Sequence, residues 1–354
     1  MKRILVSGAG GAPATNFVRS LRLMKEPVYL VGTDCNVYTL QRAETDVKLL
    51  VPRVGEADYL EIINGIITEY GVEFLHVQND RELEFISENR DKLKAKVFLP
   101  ALTTMRLCFD KYASYQAWRE AGIKVPETTL LKTVGDLRVA MGKLGPKIWL
   151  RDIKGAAGNG SYPTSDFEEA LSWINFKKGW GHFTAAECLT EQSVTWMSIW
   201  NHGELIVAQG RKRVYWELSD RAPSGVTGVT GTGVTYADSN LDELAIRTIL
   251  AVDKKPHGIF SVDMTYDTKG TPNPTEINVG RFFTTHLFFS QAGLNMPEIV
   301  VKLAYGEDFP KPERVLNPLL NGLVWVRGVD FCPVLTTTEN VLTSEKALQI
   351  RRQD

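Results

Sequence analysis

Through its first hundred residues the chain alternates short apolar runs with amphipathic stretches, and that alternation stops near residue 108. Strands separated by helices must pair in parallel, because each crossover helix carries the chain back to the starting edge of the sheet. Residues 3–7 read as a buried strand, followed by the glycine-rich 8–13 and a helix from about 14 to 24. A second strand at 28–33 ends at Asp34, and a helix at 59–70 is closed by Gly71. Strands at 74–77 and 97–99 flank a helix at 81–93. The expectation for this part is a Rossmann-like α/β domain.

Beyond residue 108 the pattern changes. Asp110 caps a helix over 111–121, closed by Gly122 and followed by the extended Lys124-Val125-Pro126-Glu127. The later strands, at 147–151, 182–187, 194–200, 204–208 and 259–266, read as antiparallel. Residues 219–240 are rich in Gly, Thr and Ser and read as a mobile loop, since core-like sequence resumes after them.

Composition narrows the function. With 354 residues there is room for about two domains, and 44% hydrophobic with 23% charged residues excludes a disordered or fibrous chain. Forty-one basic residues against 42 acidic ones leave a net charge of −1, so the whole chain offers no electrostatic case for nucleic acid or an anionic membrane. Cys35, Cys108, Cys188 and Cys332 are too scattered for a zinc ribbon or a disulfide scaffold, which leaves reduced thiols. The first residues resemble a secretory signal only superficially, since the apolar stretch is Ile4-Leu5-Val6 and Arg19 and Arg22 soon follow. No apolar run is long enough to span a membrane. A cytoplasmic enzyme is expected.

Three places could carry chemistry. The loop Gly8-Ala9-Gly10-Gly11-Ala12-Pro13 joins a strand to a helix, where backbone N–H groups can meet an anion. A dinucleotide fingerprint needs glycine where Pro13 stands, so a tight turn without nucleotide is the alternative; Asp34 could take a ribose hydroxyl in the dinucleotide reading. In the second place, Arg151 and Lys154 precede a small-residue loop containing Gly155, Gly158, Gly160 and Ser161. Its amides can fold over phosphates that the cations neutralise, the alternative being a surface turn. The third is a hairpin: alternation over 260–266 and 275–279 around a turn at 267–274 sets Glu276 and Asn278 on one face with Asp263 beside them. Two carboxylates and an amide oxygen suit Mg²⁺, and a cation relieves their repulsion; a solvated outer sheet face is the alternative. Arg281 follows as an anion partner. Arg211 and Arg213 project to one side if they lie on a strand, and would suit a phosphate or carboxylate, or form a solvated basic face. The five histidines form no zinc-binding pair, although His286 could line a pocket, and the tryptophans read as core.

Taken in order, these pieces resemble the ATP-grasp superfamily, in the carboxylate–amine ligase branch similar to the carbamoyl phosphate synthetase large subunit. The resemblance covers about residues 1–310 and rests on Asp110-Lys111 with the helix ending Gly122-Ile-Lys-Val-Pro126, the 151–161 loop, Ala185-Ala-Glu187-Cys-Leu189, and Asp263 followed by Glu276-Ile-Asn278. It implies an α/β fold (α+β overall) with a Rossmann-like pre-ATP-grasp domain at 1–108, then a two-lobed ATP-grasp fold with antiparallel sheets. The small lobe would span 109–186, the large lobe with the metal site 187–315, and a C-terminal extension 316–354. ATP and two Mg²⁺ ions, for which Mn²⁺ can substitute, are the implied cofactors.

Residue by residue, the resemblance assigns Lys111 and Arg151 to ATP phosphates, with Lys154, Gly158 and Gly160 in a lid over them at 155–161. Glu187 and Leu189 would form the adenine hinge, Glu191 would reach the ribose, and Asp263, Glu276 and Asn278 would hold Mg²⁺. Arg281 and Arg151 would be catalytic, stabilising the transferred phosphoryl group. Two departures stand out: Val279 and Gly280 intervene where the family often reads Asn-Pro-Arg, and 187–193 is short. Gly10, Gly11, Arg211, Arg213 and Arg281 are the candidate substrate contacts. The implied reaction joins a small carboxylate to an amine through an acyl phosphate, releasing ADP and phosphate, in a protein expected to be a homodimer. Two other classes stay open. A nicotinamide-dependent oxidoreductase would use a pair such as Tyr-x-x-x-Lys, which is absent; a non-catalytic ATP-binding protein would not release ADP.

Overall fold

The structure, a computed structural model, describes residues 1–155, 158, 160–332 and 334–353. The opening alternation builds β1 (Lys2–Ser7), α1 (Ala12–Leu21), β2 (Val28–Asp34), α2 (Val37–Gln41), β3 (Val47–Leu50), α3 (Tyr59–Tyr70), β4 (Phe74–His76) and α4 (Asp80–Glu88). The four strands form one parallel sheet in the order β3-β2-β1-β4. Its two faces are covered as a parallel sheet requires. Leu5, Val31 and Leu75 meet Ile63 and Ile66 of α3, while Ile4, Val6, Leu30 and Phe74 meet Phe17 and Val18 of α1. The expected strand at 97–99 is a correction: the chain runs extended beside β4 but pairs only at Lys96, whose N–H donates to the Glu73 carbonyl at 2.9 Å.

Next come α5 (Leu102–Phe109), α6 (Lys111–Glu120), β5 (Thr128–Leu131), α7 (Val134–Lys143), β6 (Ile148–Asp152), β7 (Tyr162–Thr164), α8 (Phe167–Phe176) and β8 (Phe183–Glu187). The strands form an antiparallel sheet in the order β5-β8-β6-β7, with a core of its own that includes Leu137, Ile148, Leu150, Ile174 and Phe183. The Asp110 carboxylate caps α6 by accepting from the N–H groups of Tyr112 and Ala113 at 3.0 and 2.9 Å.

The last part holds β9 (Ser193–Asn201), β10 (Glu204–Trp216), β11 (Thr230–Thr235), α9 (Ser239–Val252), β12 (Gly258–Tyr266), β13 (Pro272–Val279), α10 (Leu287–Gln291), α11 (Met296–Tyr305), β14 (Val324–Val326) and α12 (Thr338–Arg351). All pairings in its six-stranded sheet, β13-β12-β9-β10-β11-β14, are antiparallel. The expectation of one mobile loop over 219–240 fails here, because β11 lies between β10 and β14 and α9 begins at Ser239. β11 has no large apolar run; hydrogen bonds to strands on both sides supply what its side chains do not.

Two hydrophobic clusters each run from the parallel sheet into the six-stranded sheet, one joining Phe17 and Phe74 to Ile199, Ile259 and Phe289. The small sheet's core stands apart from both. β14 extends the large sheet, while α12 returns to the first layer, where Arg351 pairs with Glu69 at 2.6 Å. Among the described residues no helix is long and apolar enough to cross a membrane.

Candidate functional site

The hairpin β12–β13 turns through Asp267–Thr271, with Gly270 at φ 77°. Asp263 pairs with Glu276 and Ser261 with Asn278, so strand alternation sets Asp263, Glu276 and Asn278 on the same face. A β-bulge interrupts the ladder just after Asp263 and leaves Thr275 out of register. The Thr275 carbonyl accepts from Arg151 Nη1 at 3.1 Å, which ties the tip of β6 in the small sheet to the edge of the large one. Asn278 Nδ2 donates to Asp263 Oδ2 at 3.0 Å, and Asp263 Oδ1 accepts from Thr195 Oγ1 at 2.6 Å.

Three cations converge on Glu276. Arg151 Nη2 donates to its Oε2 at 2.9 Å, and Lys111 Nζ stands 3.6 Å from Oε1. Burial works against the Glu276 carboxylate, yet Lys111, Arg151 and Arg281 outweigh it and hold the pKa below the usual carboxylate value. Burial lowers the pKa of Lys111, an effect that Glu276 only partly offsets. Lys111 reaches this position because its N–H joins the Ile153 carbonyl at 2.9 Å, anchoring the start of α6 to the end of β6.

Arg281 is held from behind. Its Nε donates to Asp80 Oδ1 at 2.5 Å and its Nη2 to Asn278 Oδ1 at 2.8 Å. Burial disfavours the charged guanidinium, but Asp80 outweighs that and raises its pKa. Asp80 opens α4, 201 positions away in sequence, and no local pattern announces such a partner.

On the other side of Asp263, the register runs Glu276–Asp263–Thr195–Arg211 across four neighbouring strands. Arg213, two residues on, shares that face. Its Nη2 lies 3.5 Å from Asp263 Oδ1, and its guanidinium stacks 3.5 Å over the Trp216 ring. Burial lowers its pKa against the pull of Asp263. Arg213 also donates to the hydroxyls of Thr230 and Thr195, at 3.1 and 3.4 Å, two residues that no sequence motif marks.

The remaining candidates lie outside this cluster of charges. The Gly155 carbonyl accepts from Lys111 Nζ, and Lys154 is exposed with its N–H on Asp152 Oδ1 at 2.9 Å. Gly158 has φ 69°, and a Cβ there would meet the Val226 carbonyl oxygen at 2.1 Å. The Gly160 carbonyl accepts from Trp173 Nε1 at 3.0 Å. Residues 156, 157 and 159 of the expected lid lie outside the described residues. Glu187 ends β8, with Leu189 and the exposed Glu191 in the connection to β9, where the Thr190 N–H donates to the Tyr266 carbonyl at 2.9 Å. In the first loop, the Gly10 N–H donates to Asp34 Oδ2 at 3.2 Å and a Cβ would strike the Thr39 carbonyl at 1.9 Å; Gly11 caps α1. That loop and Asp34 are engaged with each other. His286 is fully buried, its Nδ1 2.7 Å from the Phe283 carbonyl.

Among the described residues no group of three or more His, Cys, Asp and Glu could hold a metal. The hairpin offers two carboxylates and an amide oxygen, a hard-oxygen set that fits Mg²⁺ in kind, with arginines and a lysine now neutralising those oxygens.

No family model and no curated protein matches the sequence. Solved structures do match the fold. The biotin carboxylase domain of the 2-oxoglutarate carboxylase from Hydrogenobacter thermophilus has a TM-score of 0.70 at 15% identity, over 91% of this chain and 73% of its own. A carboxyaminoimidazole ribonucleotide synthase from Aspergillus clavatus has a TM-score of 0.66 at 13% identity, over 89% and 80%. An L-amino acid ligase from Bacillus licheniformis has a TM-score of 0.64 at 14% identity, over 86% and 74%. Identities this low establish a shared fold.

Proposed function

We propose that this chain, which has the ATP-grasp fold, is an ATP-dependent ligase that activates a carboxylate as an acyl phosphate and passes it to an amine. One observation carries the reading: Lys111, at the start of α6, and Arg151, from the small sheet, converge on Glu276 beside Asp263 and Asn278. Cations poised at paired carboxylates suit a triphosphate and a divalent ion, which would take over the partners these groups now give one another. The solved structures support the ligands: the Hydrogenobacter domain was crystallised with MgADP and bicarbonate and the Aspergillus synthase with ATP.

In this reading Asp263, Glu276 and Asn278 hold Mg²⁺, which when bound shields the phosphates' charge. Lys111, Arg151 and the 155–161 loop bind the phosphates, and the stretch from Glu187 to Glu191 holds the nucleoside. Arg281, fixed by Asp80, faces the phosphoryl group in transfer. Such chemistry asks a protein mainly for positioning and charge neutralisation. The test is product analysis with pooled small carboxylates and amines. ADP and phosphate are expected, with ¹⁸O passing from the carboxylate into phosphate. AMP and pyrophosphate, or unlabelled phosphate, would refute the reading.

A further inference from the structure

We propose that Arg211, with Arg213 beside it, seats the carboxylate of the acceptor substrate, on the side of Asp263 opposite the nucleotide. The proposal rests on the reading that Mg·ATP occupies the Glu276 side. Arg211 is only 2% exposed, yet among the described residues no carboxylate lies within ion-pair distance of it. Its Nη1 and Nη2 reach the hydroxyls of Thr230 and Thr195, both at 3.3 Å, and its Nε has no partner. Arg213 donates to the same two hydroxyls, at 3.1 and 3.4 Å. Two guanidinium groups thus share two threonines and one carboxylate, Asp263, leaving a buried positive charge uncompensated. An unpaired buried charge is costly, and a bound anion removes that cost.

Geometry decides which anion. In-line transfer sets the attacking and leaving oxygens on opposite sides of the phosphoryl group. Lys111 and Arg151 hold one side, over β13, and Arg211 lies two strands beyond Asp263 in the same register row, at about 10 Å by strand spacing. A carboxylate there brings one oxygen to the γ-phosphorus; that O–P bond forms as the β–γ bridging P–O bond breaks, and its electron pair leaves with ADP. Behind Arg211 stands the Phe283 ring, 4.7 Å away. Next along that loop is Thr285, whose buried hydroxyl has no partner. Asn16 has its Nδ2 on two acceptors, the Thr284 carbonyl at 2.6 Å and Asp330 Oδ2 at 2.8 Å, while its Oδ1 has no donor. The body that bears the carboxylate would be met on this side by hydrogen-bonding groups.

The test is calorimetry on the full chain saturated with Mg·AMP-PNP, using acetate, lactate, β-alanine and succinate as probes. At least one should bind saturably, and Arg211→Gln should weaken it about 30-fold, the loss of a charge-assisted contact. The same variant should shift the Mg·AMP-PNP affinity by less than about threefold. Should Arg211→Gln fail to fold by circular dichroism, Arg211→Lys keeps the charge without the fork, and about a tenfold loss is expected. Unchanged carboxylate affinity in the folded variant overturns the proposal. So does an equal loss of Mg·AMP-PNP affinity, which would give Arg211 to the γ-phosphate. A wild type that binds Mg·AMP-PNP but no carboxylate also overturns it. A wild type that binds no Mg·AMP-PNP overturns the nucleotide reading, and this proposal with it.

Discussion

Glu276 is the residue on which the nucleotide side of the site is balanced. Its side chain is 26% exposed, yet it stands against Arg151 at 2.9 Å and Lys111 at 3.6 Å. Removing its charge leaves two cations facing each other, so Glu276→Gln should cost stability as well as turnover. We expect activity to fall by about 10²–10³, the scale for deleting one electrostatic contact to a reacting centre. The pH dependence has a definite sign. Because the folded pKa lies below that of an ordinary glutamate, the carboxylate stabilises the fold above that ordinary value, and the contribution disappears as pH falls through the folded pKa. Urea melts of wild type and Glu276→Gln should therefore differ at pH 7 and converge as the pH drops well below 4.5. A gap that stays constant on acidification would show that Glu276 is not the titrating partner.

Among the elements, those with an unambiguous period were legible. The helix Tyr59–Tyr70 and the hairpin of β12 and β13 follow from spacing and turn residues alone. Asp110 announced the start of α6. β11 was not legible, because its identity lies in its neighbours rather than in its side chains. Nor was the bulge after Asp263, which frees the Thr275 carbonyl for Arg151, or the partnership of Arg281 with Asp80. The loop after β6 carries a prediction at this scale. Gly158 combines a positive φ with a close approach to the Val226 backbone, which no side chain tolerates. Gly158→Ala should displace the loop, weakening Mg·ATP about tenfold while costing about 1 kcal/mol of stability. Hydrogen exchange at Gly155, Gly158, Gly160 and Ser161 should slow when Mg·ATP is added to wild type and not in the variant. Equal protection with and without nucleotide would count against a closing loop.

At the scale of the molecule, the parallel sheet and the six-stranded sheet share continuous cores, whereas the small sheet keeps its own. Rearrangement is therefore cheapest between the small sheet and the rest, along the seam that Arg151 and Lys111 cross. The layer built on the parallel sheet, by contrast, shares its cores with the six-stranded sheet, and from α4 it brings Asp80 to the site. That carboxylate holds Arg281 through Nε at 2.5 Å and Nη2 at 3.3 Å, across a contact between the first layer and the end of β13. Arg281 then meets Asn278, so the first layer sets the position of a cation carried on the bend that follows β13. Asp80→Ala should leave the fold and the Mg·ATP affinity near wild type, because Lys111 and Arg151 make their contacts with Glu276 and not with Asp80. Turnover should fall by about 10²-fold, the cost of misplacing a group by roughly 1 Å at a reacting centre. Asp80→Glu, which can still reach the guanidinium, should recover a large part of that loss, as only a positioning role allows. Steady-state kinetics would separate the outcomes: a fall in kcat at constant KM for ATP supports the assignment. A rise in KM alone would place Asp80 and Arg281 in nucleotide binding instead.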